Sequence, residues 1–250
     1  MKLSGNTIFI TGGGSGIGRG LAEALHKVGN QVIISGRRKG HLADTVAANP
    51  GMQSIELNIE DPASIATVAQ KLIAEHPKLN VLINNAGIMK IDDAAGVIDE
   101  GVLSSTIATN LLGPIRMTGA LIEHLKKQDP ATVINVTSGL AFVPLAMTAV
   151  YSSTKAALHS YTQSMRYKLK GSSVSVLELA PPWVQTELLN GTADPRAQPL
   201  AEFIDETMKI LGTDTEEILP GQATNLRSKT GLDDAGFVAQ FNDYLSQSAI

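Results

Sequence analysis

Residues 11–20 read TGGGSGIGRG and follow the apolar run TIFI (7–10). Six of these ten residues are glycine, and none is a typical catalytic acid or base. The apolar run indicates a buried strand, so the glycines shape the turn by which the chain leaves it. A turn of this kind that opens a helix presents backbone N–H groups and the positive end of a helix dipole to an anion.

The spacing of the glycines decides which anion site is expected. Residues 11–18 fit the pattern T-G-x-x-x-G-x-G, whereas G-x-G-x-x-G fits in no register. A Walker A loop fails because Arg-Gly follows Gly18 where Lys and Ser or Thr are required. Gly12 would permit the turn, Gly16 would let a pyrophosphate approach, and Gly18 would let the helix pack closely. A glycine-rich turn without a ligand is the alternative.

The composition excludes several classes of function. The chain has 250 residues, of which 43% are hydrophobic and 18% charged, as is typical of a globular protein. Its net charge of −4 argues against binding to nucleic acid or an anionic membrane. The absence of cysteine excludes disulfides and thiolate chemistry, and the histidines show no metal-binding spacing. We find no signal-peptide pattern and expect a cytoplasmic protein. The uncharged stretch 130–154 contains too many polar residues for a membrane span.

Short β-branched runs alternate with longer helical patterns, which predicts βαβ units. The runs lie at 6–11, 31–35, 53–57, 80–84, 131–137 and 173–180. The helical patterns lie at 16–29, 39–48, 62–75, 97–127 and 151–170. We expect one Rossmann-type domain over residues 1–250, with a doubly wound parallel sheet in the order 3-2-1-4-5-6 and helices on both faces. The irregular, Pro- and Gly-containing segment 185–220 is expected to be mobile and close to the site.

The residues at the end of the second strand indicate which cofactor is preferred. An NAD-selecting protein places Asp or Glu here, but this chain has Gly36, followed by Arg37 and Arg38. Two guanidinium groups and no carboxylate favour a 2′-phosphate, and therefore NADP(H). An exposed basic turn without a ligand is the alternative interpretation.

A candidate acid–base pair lies in YSSTK (151–155). Tyr151 and Lys155 are four residues apart and share a helix face. A nearby ammonium lowers the pKa of a tyrosine from its usual value near 10. Ser138 follows the strand 131–137, at the sheet edge where α/β proteins bind ligands. Its hydroxyl could hold a substrate oxygen.

Together these residues resemble the short-chain dehydrogenase/reductase (SDR) family, in its single-domain branch. The resemblance rests on TGGGSGIG (11–18), NNAG (84–87), Asn110, Ser138 and YSSTK (151–155), in the family's order and spacing. The stretches GRR, LELAPPWVQTEL and EEILPG are similar to a subgroup associated with teichoic acid D-alanylation.

The resemblance implies an NADPH-dependent carbonyl reductase or alcohol dehydrogenase that transfers hydride between nicotinamide C4 and a hydrophobic ketone or secondary alcohol. Tyr151 would be the general acid or base, and Lys155 would bind the nicotinamide ribose and lower the tyrosine pKa. Ser138 would hydrogen-bond the substrate oxygen, and Asn110 would hold a water that links Lys155 to solvent. The implied cofactor contacts are Gly12, Ser15, Gly16, Ile17, Gly18, Arg37, Arg38, Asn58, Ile59, Asn85, Ala86, Gly87, Tyr151, Lys155, Pro181, Val184 and Thr186.

Three positions depart from the family's pattern. Asn58 stands where members often have Asp, and Pro182 stands where glycine is usual. The tail 232–250 looks helical, which leaves a seventh strand doubtful. The expected substrate wall is apolar and comprises Met89, Leu140, Phe142, Met147, Trp183 and Leu188.

The expected partners are a small carbonyl or alcohol substrate and, by resemblance, further copies of this chain in a homodimer or homotetramer. In the family the segments 97–127 and 151–170 commonly form the contact between subunits. Two rival functions stay open at this point. One is an NAD-preferring dehydrogenase with the same mechanism, and the other is a non-catalytic dinucleotide-binding sensor or scaffold.

Overall fold

The computed structural model describes residues 1–188, 194–229, 231 and 234–246. Across these residues, seven parallel strands form one sheet in the order β3-β2-β1-β4-β5-β6-β7. The strands are β1 (Thr7–Thr11), β2 (Gln31–Gly36), β3 (Gln53–Glu56), β4 (Leu79–Asn84), β5 (Ala131–Val136), β6 (Val174–Leu179) and β7 (Glu217–Ile218). The helices are α1 (Gly16–Lys27), α2 (Lys39–Ala48), α3 (Pro62–Glu75), α4 (Glu100–Ile107), α5 (Gly113–Leu125), α6 (Ala149–Lys168), α7 (Leu200–Leu211), α8 (Ala223–Ser228) and α9 (Asp234–Ser246).

Helices cover both faces of the sheet, which gives the fold two hydrophobic cores. Successive residues of β1 point to opposite faces, so Ile8 packs with α1 and α7 while Phe9 packs with α3 and α5. Strands buried on both faces read as continuous apolar runs, which is why TIFI contains no alternation. The doubly wound parallel fold and the strand order 3-2-1-4-5-6 are confirmed.

A seventh strand, which the sequence left doubtful, is present. Glu217 and Ile218 form a two-residue strand that pairs in parallel with Glu178 and Leu179 of β6. A strand this short shows no periodicity in the sequence, because alternation needs about four residues to be recognised. The tail does form a helix, α9, so the strand comes from the earlier EEILPG stretch.

The predicted helical segment 97–127 contains an irregularity. It runs from α4 to α5 through a π-helical turn, Ala108–Leu112, without a break. Asp99 caps its start by accepting a hydrogen bond from the backbone N–H of Val102 at 2.9 Å. π-turns inside α-helices occur frequently at functional sites.

The segment 185–220 contains α7 and β7. Val184, just before the segment, forms an isolated parallel bridge with Gln198 inside it. Residues 189–193 lie outside the described residues, and the mobility of the whole segment stays a prediction. In the part of the chain that the structure describes, no helix is both long and apolar enough to cross a bilayer.

Candidate active site

The carboxyl ends of the parallel strands open onto one cavity of about 1020 Å³. It extends from the glycine-rich turn, past the ends of β2 and β4, to the start of α6 and the segment 181–188. Ligands of open α/β sheets bind at this edge, where the strand order reverses beside the first strand. The fold therefore brings most of the predicted site residues to one continuous wall.

The glycine-rich turn forms a tight cradle at one end of this cavity. Gly12 and Gly16 have φ values of +69° and +51°, which L side chains rarely adopt. A Cβ on Gly18 would lie 2.2 Å from the carbonyl oxygen of Gly12, so only glycine fits there. The cradle leaves backbone and the start of α1 open to the cavity, and α1 has no acidic residue in its first turn. These features fit the pyrophosphate of a dinucleotide.

The NNAG stretch is bonded directly to the glycine-rich turn. The hydroxyl of Thr11 accepts from the backbone N–H groups of Asn85 and Ala86, both at 3.0 Å. The side-chain amide of Asn85 donates to the carbonyl oxygens of Thr11 and Gly12 at 3.0 and 3.1 Å. The two turns therefore form one rigid unit, and Gly87 continues it toward Lys155.

Arg37 and Arg38 line the cavity, but each already pairs with a carboxylate. Arg37 lies 2.7 Å from Glu60, and Arg38 lies 3.1 Å from Glu187. Arg38 also donates to the hydroxyl of Ser15 at 2.7 Å. Both arginine side chains are about half exposed, so these pairs can exchange with a ligand.

Of the two residues predicted after β3, only Ile59 lines the cavity. The Asn58 side chain instead accepts from the backbone N–H of Glu60 at 3.2 Å. That bond holds the turn from which Glu60 reaches Arg37. Asn58 thus does not line the cavity as expected, and it supports Glu60, the partner of Arg37.

Ser138, Tyr151 and Lys155 come together at the other end of the cavity, and all three are buried. Tyr151 and Lys155 lie on the same face of α6, as their spacing predicts, and Ser138 follows β5. The Lys155 ammonium donates to the carbonyl oxygen of Val136, the last residue of β5, at 2.8 Å. The Ser138 hydroxyl hydrogen-bonds to the Tyr151 phenol.

Burial controls the protonation of this group. It raises the pKa of Tyr151 to about 12, and the hydrogen bond from Ser138 opposes the rise. It lowers the pKa of Lys155 to about 8, and the negative charge of Glu178 opposes the fall. The expected lowering of the tyrosine pKa is therefore not found, because desolvation of the phenol is the larger effect.

The π-helical turn places Asn110, which is fully buried, behind the cavity wall. Its side chain accepts from the backbone N–H of Ile88 at 2.9 Å and donates to the carbonyl oxygen of the same residue at 2.8 Å. It also donates to the Thr154 hydroxyl at 3.3 Å. Asn110 thereby fixes the chain after NNAG against α6, and its role in holding a water stays a prediction.

A carboxylate that the sequence did not single out caps α6. Asp92 accepts from the backbone N–H groups of Ala149 and Val150, both at 3.0 Å. Asp92 lies far from α6 in the chain, so no local capping signal could reveal it. It holds the turn of α6 that carries Tyr151.

The predicted substrate wall is partly corrected. Met89, Leu140, Trp183 and Leu188 line the cavity, whereas Phe142 and Met147 do not. The Phe142 ring packs edge-on against His159, with centroids 5.2 Å apart. Apolar character alone could not separate cavity wall from core. The cavity also borders cofactor candidates Pro181, Val184 and Thr186, and residues that the sequence did not reveal: Arg196, Gln222, Leu226, Phe241 and Tyr244.

Comparison with known proteins gives the family. Residues 6–197 match the family model described as short chain dehydrogenase. The chain belongs to the short-chain dehydrogenase family. It is 37% identical over 248 residues, covering 97% of this chain and 98% of the other, to the Bacillus subtilis (strain 168) "Uncharacterized oxidoreductase DltE". This match confirms the subgroup suggested by the sequence. The chain is also 29% identical over 206 residues to the Escherichia coli (strain K12) 3-oxoacyl-[acyl-carrier-protein] reductase FabG, which covers 81% of this chain and 83% of the other.

Solved structures of the family agree with the fold. A short chain dehydrogenase from Burkholderia cenocepacia J2315 in complex with NADP has a TM-score of 0.85 and 26% identity, covering 96% of this chain and 98% of the other. A 3-ketoacyl-(acyl-carrier-protein) reductase from Brucella melitensis complexed with NADH has a TM-score of 0.78 and 25% identity, covering 85% and 93%. The protein is an oxidoreductase of this family with a site for NAD(P).

Proposed function

We propose that the protein is an NADPH-dependent carbonyl reductase or alcohol dehydrogenase acting on a hydrophobic ketone or secondary alcohol. The observation that carries this proposal is the burial of Ser138, Tyr151 and Lys155 at one cavity wall, beside a cradle shaped for a dinucleotide. A protein that only binds a dinucleotide has no need of this buried hydroxyl–phenol–ammonium set.

The bound dinucleotide supplies or accepts the hydride. Tyr151, with its pKa at about 12, keeps its proton at neutral pH and is poised to give it to the oxygen of a carbonyl. Ser138 already hydrogen-bonds the phenol and can orient the same oxygen. Lys155 provides a positive charge beside the phenolate that remains after the proton has moved.

The cofactor preference is proposed from the end of β2. Gly36 offers no carboxylate to repel a 2′-phosphate, and Arg37 and Arg38 line the cavity there. A 2′-phosphate would take the place that Glu60 and Glu187 now hold on the two guanidinium groups. Preference for NAD is the rival, and relatives are known with each cofactor.

The substrate is proposed to be hydrophobic because its end of the cavity is lined by Met89, Leu140, Leu226, Phe241 and Trp183. We also propose a cytoplasmic location. The homodimer or homotetramer implied by the resemblance stays a prediction, which light scattering on the purified protein can measure.

The deciding experiment follows NADPH and NADH consumption by absorbance with aryl ketones, aliphatic ketones, diketones and aldehydes. We expect turnover of at least one hydrophobic class, and with NADPH in preference to NADH. The control is the Tyr151→Phe protein, which should bind NADPH and lose about 10²–10⁴-fold in turnover. Tight NADPH binding by the wild type without oxidation of it by any carbonyl would instead identify a sensor or scaffold.

A further inference from the structure

A second polar cluster lies behind the catalytic wall, centred on Glu178 of β6. The Glu178 side chain is fully buried. Its carboxylate accepts from the hydroxyl of Thr137 at 2.6 Å and lies 2.8 Å from Nδ1 of His159. A buried carboxylate is costly unless hydrogen bonds and charges compensate it, so its surroundings are informative.

His159 links Glu178 to the next turn of α6. Its Nδ1 lies 2.8 Å from the Glu178 carboxylate, and its Nε2 lies 3.0 Å from the side-chain nitrogen of Gln163. The imidazole is thus held between these two side chains.

The other charged groups around Glu178 come from β7, α8 and α6. Glu217 is its cross-strand neighbour on β7. Arg227 of α8 binds Glu217 at 3.0 Å and also feels the charge of Glu178. Lys155, one turn before His159 on α6, also feels the charge of Glu178. The Glu178 carboxylate thus acts on two cations, one of which, Arg227, is also bound to Glu217.

Thr137 connects this cluster to the reacting groups. It stands between Val136, whose carbonyl oxygen accepts from Lys155, and Ser138, whose hydroxyl bonds to Tyr151. The hydrogen bond from Thr137 to Glu178 therefore anchors the segment that supplies both partners.

We propose that Glu178 is a positioning residue of the active site: its buried carboxylate, held by Thr137 and His159, fixes the end of β5, where Val136 binds the Lys155 ammonium, and supplies a negative charge to that ammonium. This inference rests on the proposed function and deepens it. It assigns a role to Glu178, which lies in the LELAPPWVQTEL stretch but to which the resemblance gave no function.

The test is the pH dependence of Glu178→Gln, which keeps the shape and the acceptor for Thr137 but removes the charge. The negative charge raises the pKa of Lys155, which is about 8, so its loss should lower that pKa and move the basic limb of kcat/KM to lower pH. A shift of about one pH unit gives about a fivefold loss at pH 8, about a tenfold loss at pH 9 and almost none at pH 6.

A second readout does not depend on turnover. Trp183 is the only tryptophan of the sequence and lines the cavity, so its fluorescence can report NADPH binding. As the pH is raised, NADPH affinity should begin to fall about one pH unit earlier in Glu178→Gln than in the wild type. If the wild type turns over no carbonyl, the proposed function fails, and the binding curve still tests Glu178.

Two matched variants separate charge from packing. Glu217→Gln removes the neighbouring carboxylate and should leave the basic limb within about 0.3 pH units of the wild type. Glu178→Asp keeps the charge and should do the same, and it serves if Glu178→Gln fails to fold. A Glu178→Gln limb that superimposes on the wild type, or an equal shift in Glu217→Gln or Glu178→Asp, would overturn the proposal.

Discussion

The Lys155 ammonium lies 5.6 Å from the centre of the Tyr151 ring, within the range of a cation–π contact. Both side chains are buried, and burial shifts each pKa toward the neutral form of its group. The tyrosine is thus a firmly protonated acid, and the lysine is an ammonium that loses its proton near pH 8. This relationship suits a site that delivers a proton in carbonyl reduction.

Tyr151→Phe tests the proton donor. The substitution keeps the ring and its packing but removes the transferable proton. We expect turnover to fall by about 10²–10⁴-fold, as is typical for loss of a general acid, while NADPH binding is retained. Steady-state kinetics and Trp183 fluorescence give the two values. Activity within a few-fold of the wild type would exclude Tyr151 as the acid.

Lys155→Met tests the burial of the ammonium through stability. The pKa of Lys155 falls from 10.5 in the unfolded chain to about 8 in the fold, so the unfolded chain holds the proton more tightly. That difference destabilises the fold below pH 8 and is relieved as the pH rises toward 10.5. We expect wild-type stability to rise relative to Lys155→Met by about 2–3 kcal/mol between pH 7 and pH 10.

Denaturant unfolding of both proteins across that pH range gives the comparison. Tyr151 contributes in the opposite sense only above pH 10, because its pKa is raised from 10.0 to about 12. Parallel curves for wild type and variant from pH 7 to 10 would show that Lys155 is not desolvated in solution.

The sheet order and most helix positions could be predicted because long periodic segments determine them. The β7 strand could not, since two residues carry no period. The pairing of Arg37 with Glu60 was equally inaccessible, because it joins segments distant in the chain. The Glu178–His159 contact joins β6 to α6 in the same way. Motifs gave most of the residues that line the cavity, whereas tertiary packing decided which groups hold them.

Gly36→Asp combined with Arg37→Ala tests cofactor choice. One well-placed arginine should favour NADPH in the wild type by about one to two orders of magnitude in kcat/KM. The double variant should move the preference toward NADH, since it adds a ribose-binding carboxylate and removes a guanidinium. A Cβ at Gly36 meets only Leu42, at 3.7 Å, so the aspartate fits.

Lys39→Ala is the matched control for this experiment. Lys39 is a more exposed cation beside the two arginines, and it pairs with Glu56 and does not line the cavity. Its loss should leave the ratio of kcat/KM values unchanged at fixed ionic strength. Equal or better use of NADH by the wild type would make Arg37 and Arg38 an ordinary exposed turn.

Gly18→Ala tests the cradle. The added methyl group would lie 2.2 Å from the Gly12 carbonyl oxygen and 2.3 Å from the Asn85 amide nitrogen, so the two turns must separate. We expect NADPH affinity to fall at least tenfold and Tm to drop. Gly119→Ala in α5 meets nothing within 4 Å, so it should keep NADPH affinity and raise stability by about 0.5–1 kcal/mol. Similar NADPH affinity in both variants would argue against the pyrophosphate site.

Asp92→Ala tests the distant cap of α6, with Asp61→Ala as its control. Each carboxylate caps one helix, and loss of a cap costs about 0.5–2 kcal/mol. Both variants should therefore lose similar stability in denaturant unfolding. Only Asp92→Ala should also lower kcat, because α6 carries Tyr151. Equal kcat values in the two variants would show that the cap serves stability alone.

The π-helical turn at Ala108–Leu112 makes the site sensitive to residue number as well as residue identity. One residue corresponds to about 100° of helix rotation, so the faces of α4 and α5 are out of phase across the turn. A single deletion within Ala108–Leu112 would remove the extra residue of this turn and rotate α4 relative to α5 about the helix axis. The contact of Asn110 with Ile88 therefore depends on the number of residues in this helix as well as on the asparagine itself.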